Sequence, residues 1–253
     1  MPTPRKGGRY HHGDLRAALI DAAIELISEG GVRDFSMAEA SRRLGVAVSA
    51  PYAHFTDRED LLAAVAVRAY DIFHSQFLQE IRRSQMPAAR LAGIARCYVR
   101  FAGFHRPLFE VLLLAGIDKR DHPEVAEAEK PLSDAVLECV RALSGGEQSA
   151  ADDLATAVEA AAHGHAMLLL DGDFGDGDTA VEHAAERAAA TTLALVERPP
   201  AAPSAHWFEG ASSQSTTGPT VMRCLRKSIV LRGSSVFSPP GTVSIHQSTP
   251  ASV

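Results

Sequence analysis

The sequence has few cysteines, and their positions offer neither a disulfide framework nor a metal cluster. Only three occur among the 253 residues, at Cys97, Cys139 and Cys224, without a C-x-x-C pair. Disulfide-rich folds and zinc ribbons need closely spaced cysteines. We therefore expect a protein of the reducing cytoplasm, in which Cys97 and Cys139 are small buried hydrophobic residues.

Long apolar runs and an excess of positive charge are also missing. No stretch approaches the roughly 20 apolar residues of a membrane-spanning helix, and no apolar segment of a secretion signal follows the basic N-terminus. We predict no membrane association. The formal net charge of -6 argues against a protein that coats nucleic acid through bulk charge, while it permits a locally basic surface.

Motifs of several enzyme classes are lacking too. The sequence contains no G-x-S-x-G, phosphate-binding loop, H-E-x-x-H or paired E-x-x-H motif to supply a nucleophile, a phosphate cradle or a metal. The isolated histidines His105, His122, His163 and His165 have no recognisable catalytic partner at local spacing. We predict that the protein is not an enzyme and has no cofactor.

Two segments resemble metal sites in part, but neither has the ligand spacing that such a site needs. His11 and His12 are adjacent and lack a third well-spaced ligand. Residues 171–182 carry acidic residues at the first, third and twelfth positions of a calcium loop. Gly175 and Asp176, however, occupy the fifth and sixth positions, so a ligand is missing and the turn glycine is misplaced. We predict no metal site.

What is present is a stretch, FSMAEASRRLGVAVSAPYAHF from residue 35 to 55, that has the signals of two helices joined by a tight turn. Ser36 and Glu39 have the spacing of a capping box, which predicts a helix start. Gly45 suits the left-handed conformation that ends a helix. The pattern predicts a short first helix that stops at Gly45.

The second helix of this stretch must accommodate Pro51. Proline lacks an N–H and clashes with the preceding turn, so it is tolerated only near the start of a helix. We therefore predict a second helix that begins near Val48. A short exposed helix with small residues at its start has the size to enter a DNA major groove.

Here the chain resembles a known family. The segment G-V-A-V-S-A-P-Y-A-H-F, followed by T-D-R-E-D-L-L-A-A-V, is similar to the recognition region of the tetracycline-repressor-like (TetR) family of bacterial transcription regulators. The A-P-Y-x-H-F variant and the upstream Y-H-H-G-D-L-R resemble a subgroup with a C-terminal W-x-x-x-H-G signature. His163 and Gly164 match that signature, whereas Glu159 stands at the tryptophan position. The resemblance covers residues 10–198.

The resemblance implies an all-α protein, with a three-helix DNA-binding head with a helix-turn-helix over residues 13–60 and a helical ligand-binding and dimerisation bundle over 61–198. The composition indicates two further segments, a disordered basic arm over residues 1–12 and a low-complexity tail over 199–253. The helical pattern agrees with this division. The proline-, serine- and threonine-rich composition of the tail predicts disorder.

Candidate DNA contacts come from the arm, the two short helices and the start of the following helix. The arm is expected to lie along phosphates or in a minor groove. In the family, Tyr52 and His54 correspond to phosphate contacts, and Arg58 matches a basic position. The predicted DNA-binding residues are Arg5, Lys6, Arg9, Ser36, Val48, Ser49, Ala50, Tyr52, His54 and Arg58.

The rest of the chain has helical periodicity from residue 56 onward. Thr56 with Glu59, and Thr179 with Glu182, are predicted capping boxes. Aromatic residues cluster between 98 and 113 and are candidates for the lining of a ligand cavity, although an apolar stripe is equally well a core. The predicted ligand-binding residues are Tyr98, Phe101, Phe104, His105, Phe109, Leu112, Leu113, His163 and Met167.

Alanine-rich helices on both sides of residues 171–178 suggest how two subunits associate. Ala180, Ala184, Ala185, Ala188 and Ala189 permit close helix approach. Two such helices from each subunit could form an antiparallel four-helix interface, as the resemblance implies. We therefore expect a homodimer.

The leading hypothesis is a homodimeric transcriptional repressor that binds a near-palindromic double-stranded DNA operator and is released by an unknown small-molecule effector. One alternative is a DNA binder without an effector, acting constitutively or through a protein partner. A further alternative is a helical small-molecule carrier.

Overall fold

A computed structural model of the protein describes residues 15–198, which contain eight α-helices and a short 3-10 helix, and no strand. The predicted all-α fold is confirmed. The arm with Arg5, Lys6 and Arg9, the tail over 199–253 and Cys224 lie outside the described residues. Within the described residues, none of the helices combines the length and the apolar run needed to cross a membrane.

The N-terminal head consists of α1 (Leu15–Asp34), α2 (Met37–Leu44) and the 3-10 helix (Ala50–Ala53). Gly31 interrupts α1 with φ 79° and ψ 167°, a conformation that favours glycine. Ser36 Oγ accepts the Glu39 N–H at 3.2 Å and begins α2. Gly45, with φ 67°, ends it. The predicted start and end of α2 are confirmed.

The predicted start of the second short helix at Val48 is wrong by two residues, and the helix is 3-10 rather than α. It begins at Ala50, with Pro51 in its first turn. The Tyr52 N–H donates to Ser49 O at 3.3 Å and the His54 N–H donates to Pro51 O at 2.9 Å. Short 3-10 turns are common in the connections between α-helices.

The body contains α3 (Arg58–Arg82), α4 (Pro87–Phe104), α5 (Arg106–Leu114), α6 (Pro123–Leu143), α7 (Gln148–Leu170) and α8 (Asp178–Glu197). The long α3 continues from the head into the body. α4 lies at the centre, because it contacts the five other body helices. α1 also packs against α5, so the head and the body share a contact.

Two predicted capping boxes are wrong. α3 begins after Asp57, whose Oδ1 accepts the Asp60 N–H at 2.9 Å, while the Thr56 N–H donates to Asp60 Oδ2 at 2.8 Å. The box is thus shifted one residue from Thr56. α8 begins after Gly177, which has no side chain to cap the helix, and the Glu182 carboxylate accepts from Arg100 at 2.6 Å instead.

The alanines of α8 are used inside the protomer. Ala180, Ala184, Ala185, Ala188 and Ala189 are all buried, and α8 packs mainly against α4 and α7. This corrects the expectation that these alanines form the contact between subunits. Small side chains allow α4 and α8 to approach closely within one chain.

Candidate DNA-contacting surface and ligand cavity

The 3-10 helix presents an exposed surface on a buried base. Val48 and Tyr52 are 56% and 58% exposed, which is unusual for large apolar residues, and Ser49 is exposed beside them. Pro51 and Phe55 are buried and hold the segment against the head. The predicted core position of Phe55 is therefore confirmed. The predicted contacts Val48, Ser49 and Tyr52 share one accessible surface.

The other predicted contacts of the short helices are less accessible. Ala50 and His54 are half-buried. Ser36 caps α2 through its side-chain oxygen and is also half-buried, so its hydroxyl hydrogen is the part available to a phosphate. These three residues are therefore less accessible than Val48, Ser49 and Tyr52.

Arg58 has a structural role that the sequence pattern did not indicate. Its guanidinium donates to the Phe35 carbonyl oxygen at 3.0 Å and to the Val32 carbonyl oxygen. It also lies 5.8 Å from the centre of the Phe35 ring. We revise its predicted role as a phosphate contact, because these bonds tie the start of α3 to the turn between α1 and α2.

Arg58→Ala is expected to lower the free energy of unfolding by about 2 kcal/mol, because two partly buried carbonyls lose a charged donor. Urea denaturation followed by circular dichroism measures the change. Arg42→Ala is the matched control, since Arg42 lies on α2 with its side chain 65% exposed and should cost less than about 0.5 kcal/mol. Equal effects of the two substitutions would contradict the structural role.

A second contact fixes α2 on α1. The Arg43 guanidinium forms two hydrogen bonds with the Glu29 carboxylate, at 2.8 and 2.5 Å, and lies 3.5 Å from Glu25. The Arg43 bonds lower the pKa of Glu29 below its usual value. Arg43 therefore contributes to the geometry of the head, although it lies on the surface.

The body encloses an apolar cavity between α3, α4, α5 and α6. Its empty space is about 830 Å³, counting the part open to solvent. The walls include five of the predicted ligand-binding residues. These are Tyr98, Phe101, Phe109, Leu112 and Leu113. We call this space the first chamber.

A second chamber lies between α4, α6 and α7, with about 560 Å³ of empty space counted in the same way. Its wall is aliphatic except for Tyr98, Ser133 and Glu159. Tyr98 and Leu132 line both chambers and form the partition between them. The two chambers therefore make a divided cavity whose shared wall has one hydroxyl group.

Four predicted ligand-binding residues, Phe104, His105, His163 and Met167, do not line either chamber. Phe104 is 45% exposed and lies on an outer groove beside Val181. His105 stands at the corner between α4 and α5, where its Nε2 lies 3.2 Å from Gln76 Nε2. Met167 is half-buried on α7. These residues share the helical periodicity of the residues that line the chambers. The orientation of their helices nevertheless places them outside both chambers.

Residues on α3, α6 and the loop before α6 also belong to the cavity wall or lie next to it, and they were not predicted from the sequence. Tyr70 and Phe73 line the first chamber together with Ala66, a spacing of four and three residues that could have identified them. Lys119 also lines it, and Glu129 is almost fully buried near it. A single glutamate within the apolar face of α6 is the signal that could have identified Glu129.

Buried polar groups surround the partition. The Lys119 ammonium donates to Glu129 Oε2. Tyr98 Oη lies 3.2 Å from His163 Nδ1, within hydrogen-bonding distance. Burial, and then the negative charge of Glu159, raise the pKa of Tyr98 above its usual value, while burial lowers the pKa of His163. Both side chains are therefore neutral and act as hydrogen-bonding groups.

A polar connection joins the loop before α6 to the start of α3. The Asp118 N–H donates to Glu59 Oε1 at 3.1 Å. Asp60, His122 and Glu124 also gather there, with ligand-type atoms within 4.8 Å of one another. Because Asp60 already accepts the Thr56 N–H, we interpret this cluster as a contact between the loop and α3 rather than a metal site.

A three-helix head with an exposed helix-turn-helix, joined to a helical body with a cavity, defines a DNA-binding regulator with a ligand-binding domain. Residues 19–65 match the family described as bacterial regulatory proteins, tetR family. Residues 91–192 match the tetracyclin repressor-like C-terminal domain. The chain belongs to the TetR family of transcriptional regulators, which bind DNA and are not enzymes.

Two relatives have names that agree with this assignment. The transcriptional activator FasR of Mycolicibacterium smegmatis is 28% identical over 187 residues, which cover 70% of this chain and 83% of FasR. The uncharacterized regulator YobS of Bacillus subtilis is 29% identical over 108 residues. That match covers 43% of this chain and only 56% of the length of YobS.

Solved structures share the fold. A protein of unknown function from Rhodococcus sp. RHA1 is 26% identical, with a TM-score of 0.58, and the match covers 74% of this chain and 98% of that one. AibR, solved with isovaleryl coenzyme A and operator DNA, is 18% identical with a TM-score of 0.52 over 70% of this chain and 96% of AibR.

Proposed function

We propose that the protein is a homodimeric repressor that binds a near-palindromic operator and leaves it when a small apolar or amphipathic effector fills the divided cavity. The observation that carries this proposal is a formed cavity directly behind a DNA-binding head. One short recognition helix reads too few base pairs for useful specificity, and two heads related by a twofold axis supply the rest.

The proposed dimer contact uses the outer faces of α7 and α8. Leu168 on α7 and Leu193 on α8 are 45% and 40% exposed. Gly164 on α7 also has open space around it, with nothing within 4 Å of the position that a Cβ would occupy. Exposed leucines on neighbouring helices are suited to a self-complementary interface.

A route from the cavity to the head supports control by an effector. Phe109 and Leu112 of α5 line the first chamber, and α5 packs against α1. Gly116 and Lys119 of the following loop line the same chamber, while Asp118 of that loop is bonded to Glu59 of α3. An effector that binds the released state more tightly than the DNA-bound state would act through these contacts.

The alternative without an effector predicts a poorly formed body cavity, and the two chambers favour the effector-controlled form. The exposed side chains of Val48 and Tyr52 would have no role in a small-molecule carrier, so they favour a DNA-binding protein over this alternative. FasR is named as an activator, and AibR was solved with an acyl-coenzyme A and operator DNA. These names support operator binding together with a ligand.

Fluorescence anisotropy with DNA from the upstream region of the gene, and with a scrambled duplex of equal length, tests the proposal. Phosphate contacts predict a steep salt dependence on both duplexes. We expect the native duplex to bind at least a hundredfold more tightly, with two subunits per site. Equal weak binding to both duplexes, together with an empty genome-wide binding selection, would overturn it.

Tyr52→Ala is expected to weaken operator binding about tenfold, because the exposed hydroxyl and ring lose their phosphate and backbone contacts. Anisotropy titration measures the change, and circular dichroism checks that helix content is unaltered. Phe104→Ala is the matched control, since it removes an exposed aromatic ring from the body. Unchanged affinity in Tyr52→Ala would remove this residue from the DNA surface.

A further inference from the structure

A buried carboxylate oxygen near the partition, Glu159 Oε1, has no hydrogen-bond partner among the described residues. The neighbouring Glu129 interacts with the Tyr70 hydroxyl. Glu129 is only 7% exposed, and its Oε2 is engaged by Lys119. A buried acceptor without a donor is costly, and such groups in folded proteins are usually explained by water, an ion or a ligand.

Glu159 faces an apolar space in the body. It lines the second chamber, whose other walls are mainly aliphatic side chains. These are Leu91, Ile94, Ala95, Val136, Ala155 and Val158. Burial, and then the charge of Glu129, raise the pKa of Glu159 to about 7. A carboxyl group in this position is poorly solvated as an anion, and a bound cation would stabilise the charged form.

The charge around the partition is acidic. Glu129 and Glu159 are two carboxylates, and Lys119 is the cation bonded to one of them. The aromatic ring of Tyr98 lies at the same partition, 5.3 Å from the ring of Phe109. A carboxylate acceptor beside the ring of Tyr98 favours an ammonium group, which gains an ion pair, hydrogen bonds and cation–π attraction. The same surroundings repel the carboxylate of a fatty acid.

We infer that the second chamber binds an apolar organic amine in its protonated form, with the ammonium group donating to Glu159 and the apolar body packed against the aliphatic wall. This inference names the chemical class of the effector and therefore deepens the proposed function. Tyr98, bonded to His163 and shared with the first chamber, is placed to transmit occupancy of the second chamber to the wall formed by α5.

The test compares three probes with the same eight-carbon chain: octylammonium, 1-octanol and octanoate. Isothermal titration calorimetry of the full chain without DNA measures binding alone. We expect octylammonium to bind at least tenfold more tightly than either other probe. Comparable or tighter binding of 1-octanol or octanoate to the wild-type chain overturns the inference, and this comparison needs no variant.

Glu159→Gln should reduce octylammonium affinity at least tenfold, because the neutral amide keeps the shape of the side chain but not its charge. Glu138→Gln is the matched control, since Glu138 is an exposed residue of α6 that pairs with Arg90 outside both chambers. Unchanged octylammonium binding in a folded Glu159→Gln variant overturns the inference. If this variant does not fold, the comparison of probes decides.

Release of labelled operator DNA by octylammonium is measured separately by anisotropy. Binding by calorimetry without release supports the amine site and contradicts the proposed effector control. If a different probe releases the operator and octylammonium does not bind, effector control is supported and the amine site is contradicted. The two hypotheses can therefore fail independently.

Discussion

Glu80→Ala is expected to lower the free energy of unfolding by about 3 kcal/mol, one of the two largest effects that we predict. Glu80 lies near the end of α3 and is only 7% exposed. Its Oε1 pairs with Arg83 and lies 3.6 Å from Arg100 Nη1, while its Oε2 accepts from Arg96 Nη1 at 3.3 Å. Removing a buried carboxylate leaves these guanidinium groups with less neutralising charge.

The other ion pairs around Glu80 limit the loss of stability in Glu80→Ala. The same ion pairs connect Glu80 to three helices. Arg96 pairs with Glu186 at 2.7 Å and Arg100 pairs with Glu182 at 2.6 Å, so both keep a partner on α8. Their side chains are nevertheless three-quarters buried or more. Glu80 joins α3 to the two arginines of α4, and these hold α8. Its removal should loosen three helices together.

Urea denaturation monitored by circular dichroism measures this effect. Glu138→Ala is the control, because it removes an ion pair with Arg90 from a carboxylate that is 66% exposed. An exposed pair of this kind contributes less than about 1 kcal/mol. If Glu80→Ala costs no more than Glu138→Ala, the buried network does not stabilise the body as we describe.

Gly103→Ala is expected to destabilise the protein by about 2 kcal/mol, although alanine favours a helix over glycine by about 1 kcal/mol. A Cβ at position 103 would lie 2.6 and 2.8 Å from the two methyl groups of Val181 and 3.1 Å from Leu169. Val181 is buried and β-branched, so it cannot rotate away freely. The substitution must separate α4 from α8 or strain a side chain.

Gly93→Ala on the same helix provides the comparison. There a Cβ would make ordinary contacts, at 3.4 Å or more, with Glu80. Because both substitutions exchange glycine for alanine within α4, the helix-propensity term is common to both, and the difference in unfolding free energy reports the steric contact with α8. Thermal melting of both variants measures it. Similar melting temperatures would show that α8 adjusts without cost.

Local sequence signals predicted the helices because a helix is decided by neighbours in the chain. Gly45 ended α2 as expected, since its conformation depends on the absence of a side chain. The capping residues were less predictable. Thr56 and Asp57 can both accept an N–H, and the packing of α3 selected Asp57. Pro51 lay near the start of its helix as predicted, but that helix is 3-10 rather than α.

The residues of the candidate DNA-contacting surface differed in how well the sequence predicted their positions. Val48, Ser49 and Tyr52 were predicted within one short motif, and the structure places them together. Arg58 belongs to the same motif by spacing, yet its guanidinium turns back to carbonyl oxygens of Val32 and Phe35. The direction of a long side chain depends on acceptors more than 20 residues away, which no local pattern contains.

The sequence by itself determined the all-α fold, the helix-turn-helix and the aromatic cluster on α4 and α5, because these follow from helical periodicity, capping residues and composition. Only the tertiary structure decided which residues face a common space. It brought Glu159 of α7 to a partition formed by Tyr98 and Leu132, and it joined Arg96 to Glu186 across 90 residues of chain. Such contacts depend on the rotation and separation of whole helices, which packing sets after the helices have formed.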